Sequence, residues 1–372
     1  MNTPELRARC STRLRAAAPR VAGFTAFLGL DGFVDEILHV VDKRSSPAEF
    51  QRLTTIAAFA ERLAAAAGKS ANVELVPQRI KLGGNGPIMA NALATLGLRV
   101  TYLGALGYPR LHPVFEDFAR RADVHSVNEP GHTDALEFED GKIMLGKYAQ
   151  FADLTWSNLQ QRFGADRLLH HFAHADLVGF VNWTMIPTLS DVWESLLEEL
   201  CPVLTGPRRK IFFDLADPAK RTRDDIRRAA ALISRFNAWF EVILGLNERE
   251  AFALAEALDL PASPRTPEGI TALALELQRH LGIDTLAVHP TLYAVAASHG
   301  RAELVEGPRL RSIVLTTGAG DHFNSGFCLG KLLGFDNDLA LLTAVATSGF
   351  YVSTGRSPGV SELAIMLENW PV

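Results

Sequence analysis

Cysteine is scarce in this chain: Cys10, Cys201 and Cys328 are the only three in 372 residues, and they lie far apart. With no CxxC pair and no histidine at ligand spacing, a disulfide framework and a structural zinc site are excluded. A reducing, cytoplasmic location is expected. Positive charge is also short. The 37 Lys and Arg against 42 Asp and Glu leave a net charge of −5, the wrong sign for a nucleic-acid or anionic-membrane surface. No apolar run is long enough to span a bilayer. The first apolar run is not followed by Gly-x-Gly-x-x-Gly and a later acidic residue, which removes the NAD-dependent oxidoreductase reading. Repeats and low-complexity linkers are missing as well.

What is present suits a large globular unit. An apolar content of 48% and a charged content of 21% are enough to build a substantial core. The length fits one α/β domain carrying an insertion. Residues 1–20 read as an Arg-rich, solvated amphipathic helix rather than a transit peptide. From 21 to 372, apolar runs alternate with helical periodicity. Strands are expected at 24–30, 37–41, 99–106, 175–181, 210–216, 240–246, 284–289, 292–298 and 310–316. Helices are expected at 48–67, 112–122, 247–258, 266–281, 321–333, 336–352 and 360–369. This alternation predicts a doubly wound, mostly parallel α/β sheet covered on both faces. The stretch 124–150 breaks the pattern. Asp140-Gly141 between two short apolar runs signals a hairpin, which with part of 36–46 would form a small β lid.

One stretch organises the chemistry. The apolar run 312–315 leads into Gly318-Ala319-Gly320-Asp321 and then a helical pattern. A strand–turn–helix of this kind aims backbone amides and the positive end of a helix dipole at an anion. An aspartate at the mouth of an anion site is unfavourable unless it takes a proton beside a phosphate, so Asp321 is expected to be a catalytic base. Asp31 and Asp35, after the first strand, are spaced to face one side in extended chain, where ligands bind such sheets. Gly83-Gly84-Asn85-Gly86 before Pro87 makes a second backbone concavity, and Asn85 can both donate to and accept from a hydroxyl. Trp183 and Met185 either wall the pocket or pack beneath the lid. His170, His171 and His174 recur at near-helical spacing without a carboxylate or thiol partner, so a solvated or capping role is expected rather than a metal site.

In order, and across residues 22–356, these residues resemble the ribokinase-like (PfkB) carbohydrate and nucleoside kinases. Leu315-Thr316-Thr317-Gly318-Ala319-Gly320-Asp321 is similar to that family's Asp-Thr-x-Gly-Ala-Gly-Asp signature. Lys81 to Gly86 resembles its amino-terminal Gly-Gly motif, and Asn247-Glu248-Arg249-Glu250 its Asn-x-x-Glu motif. The resemblance implies a ribokinase-like, Rossmann-like fold and Mg²⁺-dependent transfer of the terminal phosphoryl group of ATP. The acceptor would be a hydroxyl of a small sugar, polyol or nucleoside, with Asp321 as base. The amides of Gly318, Ala319 and Gly320 would form the anion hole, while Asp31, Asp35, Gly84 and Asn85 hold the acceptor. Thr316, Asn247, His289 and Tyr293 would meet the nucleotide, and Glu250 with Asn247 would organise Mg²⁺ through water. A homodimer through the lid is implied too.

Three departures qualify this. Leu315 stands where the signature usually begins with Asp, which puts monovalent-cation activation in question. Ile88 replaces an Asn that often follows the Gly-Gly turn. Val288-His289-Pro290-Thr291-Leu292-Tyr293-Ala294 loosely resembles a pattern of the related ADP-dependent sugar kinases, so ADP stays open as donor. From a different class, a non-catalytic sugar or nucleotide sensor on this fold is the alternative, although it would have no need of Asp321.

Overall fold

Strands buried on both faces read as unbroken apolar runs. Leu177–Phe180 and Thr285–Val288 are of this kind, buried at every position. The computed structural model describes residues 2–371; Met1 and Val372, the extremes of the expected first helix and main domain, lie outside the described residues. In chain order the strands begin with β1 (Thr25–Leu30), β2 (Phe33–Arg44), β3 (Phe50–Arg52), β4 (Leu75–Gly83), β5 (Arg99–Gly104) and β6 (Asp123–Ser126). They continue with β7 (Gly131–Glu137), β8 (Lys142–Lys147), β9 (Leu177–Phe180), β10 (Arg209–Asp214), β11 (Phe240–Leu246), β12 (Thr285–Val288), β13 (Tyr293–Ser298) and β14 (Arg301–Glu306). The helices are α1 (Pro4–Val21), α2 (Ile56–Ala65), α3 (Asn85–Leu96), α4 (Glu116–Ala119), α5 (Trp156–Phe163), α6 (Ala165–His174) and α7 (Leu189–Ser195). After them come α8 (Arg223–Phe236), α9 (Glu248–Ala257), α10 (Pro267–Leu281), α11 (Ala319–Leu332), α12 (Asn337–Thr354) and α13 (Val360–Glu368).

The larger sheet has nine strands in the order β14-β13-β12-β11-β10-β9-β1-β5-β6. It is parallel from β12 through β6, with β13 and β14 added antiparallel at one edge. Helices cover both faces, as the alternation predicts. One core joins Phe172, Trp193, Phe236, Leu254 and Leu273 of α6 to α10. The other joins Leu14, Leu93, Phe327, Leu342 and Leu363 of α1, α3 and α11 to α13. Among the described residues no helix is long and apolar enough to cross a membrane.

The smaller sheet has the order β3-β2-β7-β8, with β4 paired to β2. It packs on α2 around Leu38, Val40, Phe59, Leu136 and Phe138. The hairpin between β7 and β8 turns at the expected Asp140-Gly141. The lid boundary at 124 is corrected, because β6 pairs with β5 inside the larger sheet. The lid's long strand runs through Phe33–Arg44, not only 37–41. The expected helix 48–67 is shorter: Phe50–Arg52 pairs with β2, and the helix starts only where Thr55 caps it by accepting from the Ala58 amide. Sheet pairing there outweighs the helix preference of the alanines.

The strand expected at 310–316 is absent. Ile313 and Val314 are 67% and 62% exposed, and the chain is held by the Val314 amide donating to the Val352 carbonyl of α12. A four-residue apolar run carries no sheet partner by itself.

Candidate active site

The parallel strands deliver polar residues at their carboxyl ends, where such sheets bind ligands. Asp31 follows β1, Asn182 follows β9, Asp214 closes β10, Asn247 follows β11 and His289 follows β12. Opposite them stands the amino end of α11. Gly318, with φ of 91°, precedes that helix and offers no side-chain cap, so first-turn amides point out of the helix. The Ala319 amide is already used, donating to the Thr316 carbonyl at 3.1 Å. Of the expected amide set, Gly318, Ala319 and Gly320, the Ala319 N–H is thus engaged within the turn.

This turn has a scaffold that the motifs did not reveal. His322 sits 2% exposed, with Nδ1 2.7 Å from the Gly318 carbonyl and Nε2 2.8 Å from the Ser357 hydroxyl. A carbonyl only accepts, so Nδ1 carries the proton and Ser357 donates to Nε2. Burial pushes this imidazole down to about 4, so it is neutral. Its ring stacks on Tyr351 at 3.6 Å, and the Tyr351 hydroxyl donates to the Thr317 carbonyl at 2.8 Å. Ile88 lies 3.2 Å from where a Cβ on Gly318 would sit.

Asp321 is 6% exposed and accepts from Asn85 Nδ2 at 3.1 Å. Burial raises its pKa well above the usual carboxylate range, and the charges of Asp214 and Asp31 add to this against the Asn85 bond. Asp214 was not foreseen as functional. It accepts from the Ala216 amide and from Asn324 Nδ2, each at 2.8 Å. Burial and then Glu250 push it well up too. A signal existed: an acid closing a parallel strand, and an Asn three residues beyond Asp321 on the same helix.

Asn247 and Glu250 prove to be a capping box for α9. Asn247 Oδ1 accepts from the Glu250 amide at 3.0 Å, and Glu250 Oε2 from the Asn247 amide at 2.8 Å. The other Glu250 oxygen accepts from the Asp217 amide at 3.0 Å. Among the described residues no three His, Cys, Asp or Glu side chains converge to ligate a metal. That fits Mg²⁺, which keeps much of its water and uses few protein carboxylates. It does not fit a fully protein-ligated ion.

On the other wall, Asp35 is 4% exposed on β2, across from Lys81 of β4 with 4.0 Å between Oδ2 and Nζ. Burial raises Asp35 and lowers Lys81, each toward its neutral form. A Cβ on Gly83 would land on the Asp35 carboxylate, and one on Gly84 would lie 2.8 Å from Asp31 Oδ2. The two aspartates thus dictate the glycine pair. Asp31 does not share an extended strand with Asp35; it lies in the link between β1 and β2. It is completely buried, accepting from the Gly86 amide at 2.9 Å and Asn182 Nδ2 at 2.7 Å. Burial lifts it to about 6 in spite of these bonds. Its oxygens hold the Gly84–Gly86 turn. Asn182, at φ 61°, was also missed, and its Oδ1 is buried without a partner.

His289 joins the site: its ring lies 3.3 Å from a Cβ built on Gly320 and packs on Phe323 at 4.6 Å. Burial takes it down to about 4. Tyr293 packs on the α9–α10 face of the sheet, near Glu248 and Glu268. Thr316 is exposed and contributes its carbonyl to Ala319. Trp183 is a core residue, its Nε1 donating to Ser190 at 2.9 Å.

Comparisons with known proteins bear on the family and the fold. The sequence model of the prokaryotic ketohexokinase family matches residues 2–370. The ketohexokinase of Haloferax volcanii is 32% identical over 367 residues, which is 98% of this chain and 96% of that protein. Among solved structures, a carbohydrate kinase from Agrobacterium tumefaciens superposes with a TM-score of 0.63 at 17% identity, covering 94% of this chain and 97% of that one. Arabidopsis thaliana ribokinase, complexed with ribose and ATP, gives 0.61 at 18% identity, covering 93% and 98%. At these identities the structural likenesses establish the ribokinase fold.

Proposed function

The chain belongs to the prokaryotic ketohexokinase family, and from that premise we propose that it transfers the terminal phosphoryl group of ATP to a hydroxyl of a ketohexose. The observation that carries the chemistry is the Asp321 carboxylate, buried and held by Asn85 at the uncapped end of α11. Asp321 takes the proton of the acceptor hydroxyl as that oxygen bonds to phosphorus and ADP leaves. The Gly320 and Asp321 amides and the dipole of α11 stabilise charge on the transferring group. Asp35, Gly84 and Asn85 position the acceptor, Asp31 and Asn182 fix the turn that carries them, and Thr316 and His289 border the nucleotide. Glu250, fixed by Asn247, would hold Mg²⁺ through water beside Asp214, and the ion would neutralise phosphate charge.

Nucleotide consumption with ketohexoses, aldohexoses, pentoses and nucleosides, run with ATP and ADP in parallel, tests this reading. Turnover confined to ketohexose and ATP is expected. Turnover with ADP instead reassigns the donor, and sugar binding without nucleotide consumption would leave only a sensor. We also propose that the smaller sheet pairs with a second copy. Ile80, Met144 and Leu145 are about half exposed on β4 and β8, and open strand edges invite partners. Sedimentation should give a dimer that Met144→Lys with Leu145→Lys disperses.

A further inference from the structure

We propose that a cavity at the amino ends of β1 and β5 binds a small phosphate-bearing anion. The cavity measures about 540 Å³, and its wall includes Arg99, Arg120, Arg121, His170, His171 and His174. The parallel strands start here and end at the carboxylates described above, so this site and Asp321 occupy opposite edges of the sheet. Three guanidinium groups, with three imidazoles beside them, meet a single acid in the lining, Asp123. Such convergence is unfavourable unless an anion compensates it.

The bonds these cations already make do not remove their charge. Arg121 Nε donates to Asn91 Oδ1 at 2.9 Å and Arg99 to the Gly23 carbonyl at 3.1 Å, both neutral acceptors. Arg120 alone has a carboxylate, the exposed Asp117 at 2.7 Å, and exposed pairs of this kind are weak. Among the described residues neither Arg99 nor Arg121 forms an ion pair. Each therefore keeps N–H groups free, in the planar fork that matches phosphate oxygens. His171 and His174 lie in the last turn of α6, and burial, with His170 beside it, lowers the His171 pKa, so its ring offers hydrogen bonds rather than charge. Ring centroids of His170 and His174 are 4.7 Å apart, and those of His170 and His171 5.4 Å. His174 Nδ1 donates to the His170 carbonyl at 2.8 Å, which leaves Nε2 to accept from a ligand O–H. Phe27 stacks with His171 at 5.5 Å and supplies an apolar floor for a carbon skeleton. The volume suits a free metabolite, either inorganic phosphate or a phosphorylated sugar. The chain's net charge of −5 disfavours nucleic acid.

Histidine side-chain NMR of the full-length protein tests this, because His289 and His322 report the active site while His170, His171 and His174 report the cavity. Signals would be assigned through single His→Asn variants. Titration with inorganic phosphate, or with a ketohexose monophosphate, should move the three cavity signals saturably. Tighter binding of the monophosphate identifies a phosphorylated sugar; equal binding identifies phosphate itself. Arg99→Gln with Arg121→Gln should weaken the response on the order of tenfold or more, with kcat and KM unchanged. The proposal is overturned if only His289 and His322 move, if sodium chloride at equal ionic strength produces the same shifts, or if the double variant binds like wild type.

Discussion

Asp321 and Asp214 are four-atom side chains whose behaviour is set by what surrounds them. Asp321→Asn keeps shape and the Asn85 contact but cannot take a proton. Turnover is expected to fall by roughly two to four orders of magnitude, with an unaltered fold and retained nucleotide binding; near-wild-type turnover removes Asp321 as base. The raised pKa of Asp321 has a kinetic sign. The ionised form is the active one, so kcat/KM of the free enzyme falls as pH drops through that pKa. Asp214→Asn deletes a negative neighbour, makes Asp321 easier to ionise and should move this acid limb to lower pH. An unmoved limb in the pH–rate profile contradicts the coupling. Asp321 was legible in sequence because its local motif is contiguous. Asp214, Asn182 and the His322–Tyr351–Ser357 scaffold were not, because their partners come from distant strand ends and helices.

At the scale of elements, glycines record which surfaces must touch. Gly83→Ala would press a methyl against Asp35, displacing the group proposed to hold the acceptor. A KM for sugar raised about 10- to 100-fold is expected, against a little-changed Tm; an unchanged KM argues that Asp35 is remote from the acceptor. Gly326 sits where α11 crosses α12, and a Cβ there would collide with Thr347 and lie 2.8 Å from the Thr343 carbonyl. Gly326→Ala should cost about 1–3 kcal/mol, measured from denaturant midpoints. The hairpin at 140–141 could be read from sequence because its turn chemistry is local. The 312–315 run misled because its apolar side chains look like a strand while their partner is the end of a helix. Asn247-x-x-Glu250 was legible as a motif, yet its first task, closing α9, follows from capping physics rather than from any ligand.

The molecule as a whole keeps Asp31, Asp214, Glu250 and Asp321 buried, the first three near enough to raise the pKa of the fourth. Each has its pKa raised by burial. A carboxyl raised in the folded state contributes stability that is full below its unfolded pKa and lost as pH rises through the folded one. For Asp31, lifted from 3.8 to about 6, the loss amounts to about 3 kcal/mol. Asp214 and Asp321 have more negative neighbours and carry the decline to higher pH. His289 and His322, lowered to about 4, oppose it only between that value and about 6.5, since above this they are neutral in both states. In the interval above about pH 6.5, where the histidines no longer oppose it, the ligand-free protein should therefore lose Tm with rising pH, and Asp214→Asn should flatten that slope. A Tm that rises across this interval would contradict it. The parallel sheet that gathers these acids was readable from strand–helix alternation; their mutual repulsion was not, since it depends on which strand ends lie side by side.

That gathering makes the enzyme a proton reservoir. A Mg²⁺ ion held beside Glu250 and Asp214 would favour the ionised carboxyls, and their protons would leave. Binding should release protons to solvent, and the heat of binding should therefore change with the ionisation enthalpy of the buffer. Calorimetry in phosphate-free buffers of contrasting ionisation enthalpy would count them, and Asp214→Asn should release fewer.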